Sequence, residues 1–405
     1  MLGLPYYAGL ARTAERGHLD AMFAADNISI AEYRAEHMPQ ALFDPVELMC
    51  ALSGVTERIG LIATGSTTYS APWDLARRFA TLDHLSGGRA GWNIVTTRSV
   101  LTAANFGGSA HPSAADRYAQ AGEFVEVVRR VWDSWEDGAV IADRDAGVWA
   151  DRAKLHAPRF VGRHYEVAGI LPFPRAPQGH PVLVQAGSSP AGVALAARHA
   201  ELVFTRQPSL GDAVAFRRRL HELAQAAGRR PEHLLVLPAL TCTLAATETE
   251  ALARQAQLEE LASAEFRWQN MLWMIGLDPD GGFDPDEPLP AELVAGPAPS
   301  SGAEPVFAAA RREAIPLREL ARRHAGNPNS MTFVGAPEQL ADFIDEWSRA
   351  GAADGFTVMP TTLPDGLEAF VDGVVPILRA RGRFRHDYAG ATLREHLGLP
   401  RPGLG

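Results

Sequence analysis

The sequence predicts an α/β protein of parallel strands joined by crossover helices. Two observations carry this: short β-branched or apolar runs alternate with longer segments of helical period, and a composition 46% hydrophobic and 21% charged suits a large buried core. A helical period over 4–17 precedes a strand at DAMFAA (20–25), and helices at 45–56 and 72–85 precede strands at IGLIATG (59–65) and GWNIV (91–95). The next helix, 115–136, repeats Phe124, Val127, Val128, Val131 and Trp132 on one face. Strands follow at VLVQAG (182–187), ELVFT (201–205), LLVLPALTCTL (234–244) and GFTVMP (355–360), with helices at 189–199, 210–227, 247–265, 336–350 and 364–381. Seven strands result. Right-handed βα repeats form either an open doubly wound sheet or an eight-stranded barrel, and seven is one short of closure. Two stretches, 137–180 and the Pro-, Gly- and acid-rich 266–330, break the rhythm and read as irregular insertions in one domain spanning 1–405.

Composition excludes several functions. With 38 basic and 48 acidic residues the net charge is −10, which argues against a phosphate-backbone binder, so nucleic acid is not an expected partner. The single lysine, Lys154, lies in DRAKLHAP, a poor setting for a P-loop or Schiff base. Two cysteines, Cys50 and Cys242, are too few for a disulfide scaffold, which points to a reducing cytoplasm. No run of eighteen apolar residues suggests a membrane span, and LGLPYYAGLARTAERGH after Met1 has no basic start followed by an apolar block, so export is not expected. The thirteen histidines include no pair within four positions, so no metal site is expected.

In parallel α/β folds ligands sit at the carboxyl ends of strands. There the sequence places Asp26, the stretch Thr64 to Thr68, Asn93 to Thr97, and Gly187, Ser188 and Ser189. GSSPAG runs from a strand straight into a helix, with Pro190 preset in the first turn, so its hydroxyls and backbone N–H groups form a phosphate cradle without lysine. The plainer reading makes Ser189 an N-cap only. Asp26 could cap a turn, Asn93 could bond local backbone, and Tyr118, early in its helix, could reach a phosphate or simply pack. Gly187, Ser188 and Ser189 also approach a nucleophile elbow, with Asp354 and His386 downstream in hydrolase order, but Ala191 replaces the last glycine. No G-x-G-x-x-G fingerprint supports a Rossmann dinucleotide site.

The segments LSGGRAGWNIVTT with ANFG after it, DRYAQAGEF, PVLVQAGSSPAGVALAARHAELVFT, VGAPEQLADFIDEWSRAGAADGFTVMP and FRHDYAGATLREHLGLPRP resemble the bacterial luciferase-like flavin-dependent monooxygenases. GWNIVTT and QAGSSPAG resemble in particular the branch of nitrilotriacetate, EDTA and dibenzothiophene-sulfone monooxygenases. The resemblance implies a (β/α)8 TIM barrel with insertions. Members usually start with a further strand, so the seven-strand tally and the resemblance together suggest a barrel lacking its first strand.

The resemblance further implies reduced FMN at the strand carboxyl ends, supplied by a separate flavin reductase. It carries Asp26, Thr64 and Asn93 to the isoalloxazine ring and Tyr118, Ser188 and Ser189 to the phosphate, with Gly187 and Thr97 in the same binding segments. O2 is the co-substrate, and a flavin hydroperoxide would insert one oxygen atom into a small organic substrate. The protein then holds the ring and excludes water, so no catalytic side chain is assigned; His84 and His111 are pocket candidates. Trp268, Trp273 and Phe283 suggest an apolar pocket, a subunit contact or plain packing. A homodimer or homotetramer is implied. Alternative readings are a deazaflavin-dependent oxidoreductase of the same superfamily, or a truncated, catalytically silent flavin-binding relative.

Overall fold

In the computed structural model, which describes residues 3–404 apart from 31–34, 36–42, 98, 100, 109, 188, 262, 280, 299–302 and 325–330, the centre is one parallel sheet. In chain order the strands are β1 (Ala21–Ala24), β2 (Gly60–Ser66) and β3 (Ala90–Val95); then two short hairpins, β4 (Val140–Asp143) with β5 (Val148–Ala150) and β6 (Phe160–Val161) with β7 (Glu166–Val167). They continue with β8 (Val182–Ala186), β9 (Leu202–Thr205), β10 (Leu235–Leu244), β11 (Met331–Gly335) and β12 (Thr357–Pro360). The sheet runs β1-β2-β3-β8-β9-β10-β11, with β12 also on β10.

Seven of these strands coincide with those read from sequence, and β11 is the addition. Its MTFVG pairs with Leu240 to Leu244 while β12 pairs with Ala239 to Cys242, so the two occupy opposite edges of β10. The change of partner has a local cause: β9 pairs with β10 as far as Pro238, which has no N–H to extend a ladder. Five residues ending in glycine carry too little alternation to announce a strand.

The sheet is strongly curved. Phe23 on β1 and Phe204 on β9 are four strands apart, about 19 Å in a flat sheet, yet their rings stack with centroids 6.1 Å apart. Strand alternation then defines two layers. Ile62, Val182, Val184 and Leu202 point inward against Leu393 and Leu399. Leu61, Ala63, Trp92 and Ile94 point outward against Phe79, Phe124 and Trp132 of the helices Pro72–Ser86 and Ala114–Trp132. The carboxyl-terminal segment plugs the amino end of the sheet so closely that a Cβ at Gly60 would lie 2.5 Å from Leu393 Cδ1 and 2.9 Å from the Asp20 carbonyl.

Both insertions hold more regular structure than the irregular chain expected. Residues 137–180 include the two short hairpins, and Phe160 and Leu171 of this insertion join the main core. Residues 266–330 were expected to be irregular, but they include the helices Ala291–Ala295, Glu304–Glu313 and Leu317–His324, packed on the preceding Ala264–Met274. These share a cluster of Met271, Leu272, Val306, Phe307, Leu317 and Leu320, against which Trp268 and Phe283 are packed. Frequent prolines masked the pattern because each helix is short. The helix expected over 247–265 ends at Leu261, and a second starts after Ser263, whose hydroxyl caps Phe266 N.

Burial sets the acid response of the fold. His18, His111, His180, His199 and His396 are held below the ordinary imidazole range, burial being the largest cause for each, and His199 falls to about 4. An unfolded chain therefore binds more protons than the folded one as pH drops through about 6.5, and stability falls with it. Burial pushes the carboxyls of Asp20, Asp26 and Asp83 up, Asp83 to about 6, which opposes the histidines over the lower part of that range. Five bases outweigh three acids. The urea midpoint should be lower at pH 5.5 than at pH 7.5; an equal or higher midpoint would show that the imidazoles protonate in the fold.

Candidate functional site

Alternation along β2 and β3 turns Thr64 and Asn93 inward, because Leu61, Ala63, Trp92 and Ile94 face the helices. Asn93 Nδ2 donates to Thr64 Oγ1 at 2.9 Å, and Thr64 donates to the Ala24 carbonyl at 2.8 Å, which ties β1, β2 and β3 together near their carboxyl ends. Asn93 is 3% exposed, and its Oδ1 has no hydrogen-bond partner among the described residues. A buried acceptor in that state costs about 1–3 kcal/mol, a price that a bound N–H donor would remove. Asp26 lies two residues beyond β1, half-buried, and burial followed by the nearby Asp44 pushes its carboxyl up.

Thr97 follows β3 with φ +20°, a conformation uncommon outside glycine, and its hydroxyl meets Ser66 Oγ at 2.7 Å. Ser66 Oγ also accepts from the backbone N–H groups of Thr68 and Tyr69, each at 3.2 Å, so one hydroxyl sets the turn after β2. Tyr69 stacks on Phe106 and its hydroxyl meets His111 Nδ1 at 2.7 Å. Nearby, a shallow depression of about 310 Å³ is lined by Asn27, Ile28, Ser29, Ile30, Leu101 and Asn105.

At the carboxyl end of β8 the helix Pro190–His199 begins. Ser189 caps it, accepting from Gly192 N at 3.1 Å, so the plainer reading of Ser189 is met. The same Oγ lies 3.2 Å from the Tyr118 hydroxyl, which joins the two phosphate candidates into one cradle. Gly192 forms its floor: a Cβ there would stand 3.1 Å from the Tyr118 hydroxyl and 3.2 Å from Ser189 Oγ. The positive end of a helix suits an anion, although here the Gly192 and Val193 N–H groups are already given to Ser189. Ser188 lies outside the described residues. Gly192→Ala should keep or raise thermal stability, since alanine favours a helix by up to about 1 kcal/mol. It should also weaken flavin binding roughly tenfold by crowding the cradle; equal affinity in a fluorescence titration would show that no ligand group enters there.

The hydrolase arrangement does not assemble. Asp354 pairs with Arg217 and accepts from Val236 N, at the amino end of β10 and hence at the opposite end of the sheet from Ser189. His84 is also remote: it ends its helix below the sheet and bonds the Pro174 carbonyl. Sequence reasoning passed over Gln185, a polar residue inside the buried strand VLVQA. That break in an apolar run was the available signal.

The sequence profile described as "Luciferase-like monooxygenase" matches residues 3–354. The chain belongs to that family. Nitrilotriacetate monooxygenase component A of Aminobacter aminovorans is 43% identical over 98% of this chain and 90% of that protein. N-acetyl-S-(2-succino)cysteine monooxygenase of Bacillus subtilis (strain 168) is 45% identical over 99% of this chain and 91% of that protein. Among solved structures, riboflavin lyase with modified FMN and riboflavin superposes with a TM-score of 0.86 at 32% identity, over 98% of this chain and 89% of that one. This luciferase-like chain is an enzyme of the flavin-dependent monooxygenase class, in the branch that the GWNIVTT and QAGSSPAG segments indicated. Among the described residues no helix is long and apolar enough to cross a membrane.

Proposed function

We propose that this chain is the oxygenase component of a two-component system, receiving reduced FMN from a separate flavin reductase and using O2 to oxygenate a small organic substrate. The observation that carries the proposal is the pairing, at one end of one sheet, of a buried amide with an open acceptor and a glycine-floored helix N-terminus. A flavin mononucleotide has both complements: a ring with an N–H edge and a phosphate tail. Asp26, Thr64 and Asn93 would hold the ring. Thr97 and Gly187 would shape the adjoining turns, and Tyr118, Ser188 and Ser189 would take the phosphate.

When bound, the reduced flavin supplies the electrons that activate O2. The chain's own task is orientation and exclusion of water. Asn93 would accept from the ring, while Thr64, itself tied to the Ala24 carbonyl, fixes the amide's direction. The depression lined by Asn27, Ser29 and Asn105 beside three aliphatic residues would admit the substrate, since a few polar groups on an apolar wall orient a small molecule. The chain would act in the cytoplasm with its reductase, as a homodimer or homotetramer.

Anaerobic titration with reduced FMN tests the reading, followed by oxygen-uptake assays with a flavin reductase, NADH and candidate substrates. Saturable binding and substrate-dependent product formation are expected. A purified chain that never binds reduced FMN would end it.

A further inference from the structure

The loops that leave β1, β2 and β3 converge beyond the carboxyl ends where Thr64 and Asn93 sit. β1 and β3 flank β2 and lie about 10 Å apart in a flat sheet, yet side chains past their ends join across it. Ser29 Oγ, from the loop after β1, is 3.0 Å from both Ser99 Oγ and Thr102 Oγ1, from the loop after β3. Asn105 Nδ2 donates to the Ile28 carbonyl at 2.9 Å, a second tie between the same two loops. Phe106 then stacks on Tyr69 of the loop after β2, with centroids 4.7 Å apart. The short helix Thr102–Asn105 is thus a bridge held at both ends.

Little apolar burial holds this bridge down. The helix seats only the small residues Thr102 and Ala103, its ties are uncharged side chains, and Leu101 and Phe106 beside it are 50% and 49% exposed. Gly107 follows at φ +70°, a left-handed conformation that glycine adopts freely, and a Cβ there would meet nothing within 4 Å. The polar groups at the strand ends need an opening: Thr64 and Asn93 are 4% and 3% exposed, and the open acceptor Asn93 Oδ1 is itself buried. On the flavin reading above, on which this inference rests, a ring that reaches Asn93 has to displace something. A cofactor exchanged with a reductase has to do so at every turnover.

We propose that the bridge of Ser29, Thr102 and Asn105 is a gate at the ring end of the flavin site, parting to admit or release the flavin and closing to keep water from it. The depression between the same two loops is the mouth of that gate. A gate has a kinetic signature that a ligand contact lacks. It changes entry and release together and leaves the affinity nearly constant, whereas a lost contact speeds release alone.

The experiment follows binding of oxidised FMN to the full-length chain by stopped-flow fluorescence. In Ser29→Cys with Thr102→Cys, hydroxyls 3.0 Å apart are exchanged for thiols close to the separation a disulfide spans. Oxidation should slow FMN entry and, when done on the loaded protein, FMN release, each by about tenfold or more, with dithiothreitol restoring both. The bond is verified by mass spectrometry, and each single exchange, which retains Cys50 and Cys242, is the control. Equal rates in the oxidised and reduced forms overturn the proposal. Should the pair not fold or not cross-link, Ser29→Ala with Thr102→Val unlatches the bridge and should speed entry and release about fivefold, with the dissociation constant within about twofold. Unchanged rates, or faster release alone, overturn the gate and make these residues structural or simple contacts. A wild-type chain that binds no FMN overturns the flavin reading itself, an outcome distinct from failure of the variants alone.

Discussion

Asn93→Leu should lower flavin affinity about a hundredfold while leaving the flavin-free fold as stable as before, or more so. The side chain is buried on the inward face of β3, where its amide gives one hydrogen bond to Thr64 and leaves Oδ1 without a partner among the described residues. Leucine of similar volume removes that orphan acceptor, and exchanging a poorly satisfied buried polar group for a methyl-bearing one is neutral or stabilising. On the proposed reading the ligand would lose more: a hydrogen bond to its ring, formed in a water-poor site, from an amide that Thr64 holds in place. The opposed signs make the test specific. Thermal midpoint and flavin affinity measured on one preparation should move apart; a variant that binds reduced FMN like the wild type would place the ring elsewhere, and one that loses both together would give Asn93 a structural role.

Arg394→Met should cost about 3–5 kcal/mol of stability, the scale of breaking one side of a buried ion pair. Arg394 meets Glu201 through two contacts, Nη1 to Oε1 at 2.6 Å and Nη2 to Oε2 at 2.9 Å, and also donates to the carbonyls of His180 and Pro400. Glu201 accepts in turn from Leu183 N at 3.0 Å, so the pair clamps the carboxyl-terminal segment to β8 beneath the sheet. Burial by itself would raise the Glu201 carboxyl, and the guanidinium outweighs it to hold that carboxyl below the usual range. Without Arg394, burial, the largest single influence, is opposed chiefly by the Leu183 N–H, and the acid should rise. The sign follows: a raised carboxyl binds its proton in the fold first, so the deficit of the variant should shrink from pH 7.5 to pH 5. Urea titrations of both proteins at the two pH values measure this. A deficit below about 1 kcal/mol would show that solvent reaches the pair. Replacing both partners, Arg394→Met with Glu201→Leu, should recover part of the loss.

The strand tally shows where local pattern suffices. IGLIATG, GWNIV and VLVQAG are long enough, and apolar enough on both faces, to announce buried parallel strands without their neighbours. MTFVG is not; it becomes β11 because β10 offers a free edge beyond Pro238. The helices of 266–330 are a second case, since each is short and bounded by proline, and only their shared cluster around Phe307 and Leu320 makes them cooperative.

The same division runs through the site. Strand, turn and helix in GSSPAG could be seen in the chain because capping chemistry is local: Ser189 bonds a backbone N–H three residues ahead. The meeting of Tyr118 with Ser189, 71 positions apart, could not, nor could the link from Asn93 through Thr64 to the Ala24 carbonyl. Gln185 was passed over because one polar residue in an apolar strand has many meanings until its surroundings are known.

Taken alone, the sequence determined the parallel α/β order, the end of the sheet where polar residues collect, and a family resemblance that the comparisons sustain. Those are properties of short-range periodicity and of residue types at fixed offsets. The tertiary structure decided the curvature that brings Phe23 to Phe204, the clamp of Arg394 on Glu201, and which buried amides still lack a partner. Each of these depends on groups far apart in the chain, and a hydrogen bond, an ion pair or an unsatisfied acceptor exists only once packing has fixed what surrounds it.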